Sequence, residues 1–482
     1  MLVGAKLRYF LEITKFFSYF ILWSARKGLR FAMGRTMDAE LIGLIGKITL
    51  YSALGEAPGQ TVVPMLSIWK WKEKRAFVLL FACFFVPLHQ NGEEKMKKCV
   101  ILLLLCVAQL AAMAQDGLRV RLDSLLRDPM FETSQVGLMV YDLTADSALY
   151  TLNHKQLMRP ASCMKLVTAI TALDQLGPDY DFLTKIYCTG SLEGSTLIGN
   201  VYCVGGFDPT LTVDDVAILA SCVRRLGIDS IRGLLVADKT MKEAQDYGEG
   251  WCWDDDNPLL SALSVGRKNI FLETFAEEVA RAGINLEQVR LIEGRVPQNA
   301  QLLATCRHNI SLVLDRMLKM SDNFYAESMF YQTAASAQRG LARAKDGRDI
   351  TKKLIARLGL GHYPYKIADG SGLSLYNYVS VELLCRLLRH AWHSPSISRS
   401  LIPALPIAGV DGTLKDRMRG TKAQGNVRAK TGTLTGISSL AGYCTTAGGH
   451  ELCFAIINQG VMRNATGKTF QDRVCKVLCE YE

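Results

Sequence analysis

The sequence predicts an α/β protein of the α+β kind: one antiparallel sheet flanked by helices, with an inserted strand-rich subdomain. Three observations predict it. "GLMVYDL" from Gly137 and "SALYTLN" from Ser147 alternate apolar and polar residues around a short turn, the pattern of an antiparallel hairpin. "NVRAKTGTLTGISSLAGYCTT" from Asn426 and "ELCFAIINQG" from Glu451 read as strands near the other end. Helical runs fill the interval, so strands from both ends are expected to share one sheet covered by helices on each face.

The elements follow in order. "RPASCMKLVTAI" from Arg159 is a proline-led turn running into a helix, whose Leu166, Val167, Ile170, Leu173 and Leu176 recur at helical spacing until Gly177-Pro178 ends it. From about residue 185 to 265 the texture changes to short strands and glycine turns, with one helix near Val213 to Leu226. We therefore expect residues 115–190 and 266–482 to form one domain and 191–265 an inserted accessory subdomain. From about residue 270 helices dominate, in "LETFAEEVARAGI", "ISLVLDRMLKMSDNFYAESMFYQTAA" and "SVELLCRLLRHAWH", and "TFQDRVCKVLCEY" is the final one.

Charge and hydropathy divide the chain differently. Residues 1–95 hold 13 Lys/Arg against 7 Asp/Glu, and Lys97 and Lys98 follow, so most of the formal +10 lies ahead of residue 99. The remainder has no basic patch, and no nucleic-acid partner is expected. "MKKCVILLLLCVAQLAAMAQ" from Met96 has the basic start, apolar stretch and Ala112-Met113-Ala114 small-residue site of a secretory signal. We expect residues 96–114 to be that signal, Met96 to be the true start, residues 1–95 to be a leader outside the protein proper, and membrane association to be peripheral at most. This implies export to the periplasm.

Eleven of the fourteen cysteines lie after Ala114 and form no C-x-x-C pair, which speaks against a zinc ribbon or a thioredoxin-type site. Cys188 with Cys203, on an expected hairpin, is a possible disulfide. His390 and His393 share a helix face without the glutamate of an H-E-x-x-H zinc site, so we expect neither metal nor cofactor.

The chemistry concentrates in three motifs. S-x-x-K occurs at Ser24, Ser67 and Ser162, and about two such matches are expected by chance in a chain this long. Only Ser162 is followed in order by Ser321-Asp322-Asn323 and Lys430-Thr431-Gly432. A serine hydroxyl is a poor nucleophile until a base takes its proton. One helical turn puts Lys165 on the Ser162 face, and burial plus a second cation, Lys430, would lower its pKa enough for that task.

Ser321 is then placed to relay a proton and Asn323 to hydrogen-bond substrate backbone. A strand carrying Lys430, Thr431, Gly432 and Thr433 can pair with an extended peptide and hold a terminal carboxylate. The N–H groups of Ser162 and Thr433 are the expected oxyanion hole. Cys163, about a quarter-circle from the Ser162 face, reads as a packing residue, and Asp369-Gly370-Ser371-Gly372 supplies turn geometry whatever else it does.

These three motifs in this order are the signature set of penicillin-binding proteins and class A β-lactamases. The segments "RPASCMKLVTAITALDQLG", "GGFDPTL", "GWCWDD", "KMSDNFYAESM", "DGSGLSLYNYVS" and "LPIAGVDGTLKDRMRGTKAQGNVRAKTGTLTGISSLAGY" narrow the match. With them the chain resembles the class C low-molecular-mass penicillin-binding proteins, the D-alanyl-D-alanine carboxypeptidase/endopeptidase family. The resemblance implies a β-lactamase/transpeptidase-like fold and an exported serine D,D-peptidase. Such an enzyme acts on peptidoglycan stem peptides and is inhibited by β-lactam antibiotics.

The chain departs from that pattern at Phe207, where a third glycine is usual, and at Cys163, where asparagine is common. The stretch between Lys165 and Ser321 is also short for the family. The alternatives are a serine β-lactamase, which needs a second base to activate water, and a non-catalytic peptidoglycan or β-lactam sensor, against which the intact motif residues argue.

Overall fold

The computed structural model describes residues 117–255, 259–286, 289–337 and 340–482. The expected leader and signal peptide lie outside the described residues. A helix α1 (117–125) precedes the hairpin β1 (Gln135–Asp142) and β2 (Ser147–Leu152), then α2 (Met164–Leu176). The middle of the chain supplies β3 (Asp181–Cys188), β4 (Ser191–Glu193), β5 (Thr196–Ile198), β6 (Val201–Val204), α3 (Val213–Arg225), β7 (Ser230–Arg232), β8 (Leu234–Asp238), α4 (Phe271–Arg281), β9 (Arg290–Glu293) and β10 (Gln301–Asn309). Five helices follow: α5 (Ile310–Lys319), α6 (Asn323–Ala335), α7 (Ala344–Arg357), α8 (Val381–His393) and α9 (Pro395–Ala404). The last elements are β11 (Arg428–Leu434), β12 (Ile437–Thr445), β13 (Glu451–Gln459) and α10 (Asn464–Cys479).

Strands from both ends form one antiparallel sheet in the order β11-β12-β13-β1-β2, with Val140 opposite Phe454 and Ala441 opposite Ala455. Side-chain alternation divides its residues between two cores. Leu138, Val140, Leu440, Phe454 and Ile456 pack with Phe470 and Val474 of α10 and Leu118 and Leu122 of α1. Met139, Ala441, Tyr443, Ala455 and Ile457 face the opposite way, into the core built around α2, α6 and α8. Because both faces are covered, β12 and β13 are buried almost without interruption, and β13 carries a continuous apolar run from Leu452 to Ile457 in place of an alternating one.

Helix α2 is buried from Met164 to Leu173, and Gly177 ends it in the left-handed region at φ 88°. Helices α7 and α9 escaped the sequence reading because Gly347 and Pro403 interrupt their patterns. Gly347 is required where it stands: a Cβ there would lie 2.8 Å from the Phe330 ring of α6.

A second five-stranded sheet has the order β10-β3-β6-β8-β9, and β4, β5 and β7 make a three-stranded one. Helices α3 and α4 pack on the second sheet around Val216, Leu219, Phe271 and Phe275. This sheet reaches from Asp181 to Asn309, past both ends of the 191–265 window, because β3 pairs with β10, Phe182 opposite His308. Partners so distant in sequence leave no local pattern. Cys188 and Cys203 are free thiols: Cys188 lies opposite Val201 and Cys203 opposite Ile186, two residues out of register.

Phe454 is fully buried in the first sheet. Phe454→Ala should lower unfolding free energy by about 3–5 kcal/mol, while Val120→Ala, 67% exposed, should change it by no more than about 0.5 kcal/mol. Urea unfolding of both variants checks the pair.

Candidate active site

Ser162 stands in a short 3-10 turn, Ala161–Cys163, that feeds directly into α2. The turn is strained: Ala161 holds φ at 47°, a left-handed value unusual for a residue with a Cβ. Its neighbours hold it from two sides. Gly372, at φ 82°, packs so closely that a Cβ would fall 1.9 Å from the Ala161 carbonyl oxygen. On the other side, a Cβ at Gly432 would meet Ser439 Oγ at 2.1 Å and the Pro160 oxygen at 2.7 Å. Ser439 Oγ donates to the Pro160 carbonyl at 2.6 Å, and the Cys163 thiol donates to the Lys430 carbonyl at 3.2 Å. Cys163 is thus fully buried packing between the turn and β11.

Lys165 lies one turn into the chain from Ser162, its ammonium nitrogen 3.0 Å from Ser162 Oγ, 2.7 Å from Asn323 Oδ1 and 2.8 Å from the Ser371 carbonyl oxygen. Asn323 and Ser371 offer only acceptors to it. In the neutral amine they take its two N–H bonds, and the lone pair is left facing the serine hydroxyl.

The sequence reads residues 310–335 as one helical region, but the backbone breaks at Met320–Asp322. Ser321 is left-handed there at φ 59°, and Asp322 caps α6 by accepting from the Phe324 N–H. Arg316 and Arg267 hold Asp322 Oδ2 at 3.0 and 3.2 Å. The break turns Ser321 Oγ toward Lys430 Nζ, which donates to it at 2.8 Å and to the Thr431 carbonyl at 2.8 Å.

Both lysines are completely buried. Burial pulls Lys165 down to about 8 against the opposing pull of Asp369, Glu327 and Asp322. It pulls Lys430 down to about 7, and the charge on Lys165 adds to that fall.

Residues 118–265 and 259–481 match the D-Ala-D-Ala carboxypeptidase 3 (S13) family. The chain belongs to this family. It is 28% identical over 460 residues to a D-alanyl-D-alanine carboxypeptidase of Actinomadura sp. (strain R39), covering 76% of this chain and 85% of that one. Against the D-alanyl-D-alanine carboxypeptidase DacB of Haemophilus influenzae it is 26% identical over 407 residues, covering 67% and 85%. The fold is that of penicillin binding protein 4 (dacB) from Haemophilus influenzae, with TM-score 0.69 and 23% identity over 75% of this chain and 99% of the other.

In this S13 chain the K-T-G strand is the sheet's outer strand. Pro406 accepts from the Ala429 N–H and Ile407 bridges to Arg428, so pairing on that side stops short of Lys430. Thr431 donates its hydroxyl to Thr413 Oγ1 at 2.8 Å, Gly432 is buried, and Thr433 is exposed beside them. The expected site residues fall into two hydrogen-bonded groups, Ser162, Lys165 and Asn323 in one and Ser321 and Lys430 in the other.

Sequence reasoning missed the layer behind them. Glu327, one turn along α6 from Asn323, is buried and accepts from the N–H groups of Ser371 at 2.7 Å and Gly370 at 3.1 Å. This aims the Ser371 carbonyl at Lys165. Burial, and then the charge of Asp369, push the Glu327 carboxyl up to about 8. Asp369 accepts from Gly372 N, Ser374 N, Asn377 Nδ2 and Trp251 Nε1 at 2.7–2.8 Å, tying the loop together. The D-G-S-G string was the available signal, and a turn explained it equally well. His390 faces Asp174 at 3.1 Å.

With Lys165 as the expected base, the rate of acylation should rise with pH up to about 8 and then level, as followed by stopped-flow with a chromogenic β-lactam. Glu327→Gln keeps an acceptor oxygen for the Ser371 and Gly370 N–H groups and should keep wild-type stability. Glu327→Ala leaves two buried N–H groups unpaired and should cost about 1–3 kcal/mol for each in urea unfolding.

Proposed function

We propose that this serine D,D-peptidase cleaves the terminal D-Ala-D-Ala bond of peptidoglycan stem peptides, and related cross-links, through an acyl-enzyme on Ser162. The observation that carries the reading is the contact of Lys165 Nζ with Ser162 Oγ at 3.0 Å, made by a buried amine whose two other neighbours are acceptors. Lys165 takes the hydroxyl proton as Ser162 Oγ attacks the penultimate D-Ala carbonyl. The oxyanion is held by the N–H groups of Ser162 and Thr433. Collapse breaks the peptide bond as Lys430 passes a proton through Ser321 to the leaving D-Ala amine. Water then attacks the ester, giving a proton back to Lys430 through Ser321, and the C–O bond breaks as Lys165 returns its proton to Ser162 Oγ.

The substrate enters as an added strand along β11 from Lys430 onward, with Asn323 reading its backbone and the Thr433 hydroxyl its carboxylate, while the Thr431 hydroxyl is committed to Thr413 and Thr431 contributes through the strand. β-Lactams mimic this substrate and acylate the same serine. The reaction takes place in the periplasm, a reading that rests on the signal-like residues 96–114. Among the described residues no helix is long and apolar enough to cross a membrane. A β-lactamase outcome is less favoured: Glu327, the buried glutamate behind Lys165, already accepts from the Gly370 and Ser371 N–H groups.

Intact mass spectrometry after mixing with benzylpenicillin should show a long-lived adduct mapping to the Ser162 peptide. Ser162→Ala should abolish it, and Lys165→Met should slow its formation by roughly 10²–10⁴. An adduct that vanishes within seconds would instead mark a β-lactamase. Release of free D-alanine from a D-Ala-D-Ala pentapeptide tests the peptidase step directly.

A further inference from the structure

The second sheet carries a cluster of metal-ligand side chains that the peptidase chemistry does not use. Cys306 and His308 are two apart on β10 and so share a face of that outer strand. Asp215, in the first turn of α3, stands over them. Its Oδ2 is committed to the Thr212 N–H and hydroxyl at 2.8 and 2.6 Å, which leaves Oδ1 toward His308 Nε2 at 3.6 Å. Cys306 Sγ is 4.0 Å from the same nitrogen, and all three donor atoms lie within 4.8 Å of one another.

The orientation of the imidazole is fixed from behind. His308 Nδ1 meets Asp208 Oδ2 at 2.7 Å, and Asp208, 4% exposed, is itself held through Oδ1 by the N–H and hydroxyl of Thr210. A carboxylate on the far ring nitrogen is the arrangement that orients a metal-binding histidine and raises its basicity.

We propose that Asp215 Oδ1, Cys306 Sγ and His308 Nε2 form a zinc-binding site, with water as fourth ligand. An N, O and S donor set suits zinc, whose tetrahedral bonds place ligand atoms about 3.5 Å apart, so closure needs movements of only a few tenths of an ångström to about one. His308 and Asp215 each keep 19% of their side chains exposed, which gives the ion and its water a path in. Cys306 is a free thiol and brings the proton on its sulfur to the site. Binding expels that proton to solvent as the Zn–S bond forms, since a dication reverses the local preference. The ion would tie α3 to β10. Through Asp208 it would also bear on Phe207, which stacks at 5.7 Å on Tyr331 of the helix that begins with Asn323.

The test is cobalt and zinc titration of metal-free protein, and it is independent of the peptidase reading. Cobalt should give a thiolate-to-metal charge-transfer band with the intense visible bands of a four-coordinate ion, and zinc should raise the melting temperature. Cys306→Ser should lose the charge-transfer band, Asp208→Asn should weaken binding about 10–100-fold, and Cys252→Ser, at the exposed thiol, should change nothing. Apo Cys306→Ser melting with apo wild type would show that the fold is intact. A missing charge-transfer band, its survival in Cys306→Ser, or an equal zinc-induced shift in that variant would overturn the proposal and leave an imidazole held between two carboxylates.

Discussion

Two lysine side chains buried without exposure in one site are the constraint around which this fold is arranged. An ammonium group in a protein interior is costly unless its N–H groups find acceptors. Lys165 finds them on Ser162, Asn323 and Ser371, and Lys430 on Ser321 and Thr431. Those acceptors come from the α2 turn, the α5–α6 break, the D-G-S-G loop and β11, so satisfying the lysines brings four separated segments together. The same desolvation lowers the proton affinity of both amines toward neutrality and makes a base available at ordinary pH.

That arrangement needs rigid support, which the sheet and its packing supply. With β12 and β13 covered on both faces, β11 has a fixed neighbour on one side and an edge on the other. Gly432 and Gly372 let that strand and the D-G-S-G loop approach the Ser162 turn to distances no larger residue permits. The strained φ of Ala161 and Ser321 is held by these contacts and by the Arg316 and Arg267 bridges to Asp322. Strain at these two positions aims the two hydroxyls.

The accessory sheet shows where local reading stops. Its neighbouring strands β3 and β10 are far apart in the chain, and their pairing draws α4 and β9 into a unit that texture alone had confined to 191–265. Phe207 holds a left-handed φ of 56° and fills the space against Tyr331.

Local pattern determined much of this protein. The β1–β2 hairpin, the span of α2, the closing strands and the order of the three motifs were all legible, because period and spacing are properties of neighbours in the chain. The same spacing put Lys165 on the Ser162 face. Tertiary structure alone decided the rest: that residues 310–335 break at Ser321, that Glu327 supports the Ser371 carbonyl, and that β3 reaches across to β10. Each depends on what meets a residue from a distant segment, and on whether a buried polar group there finds its partner.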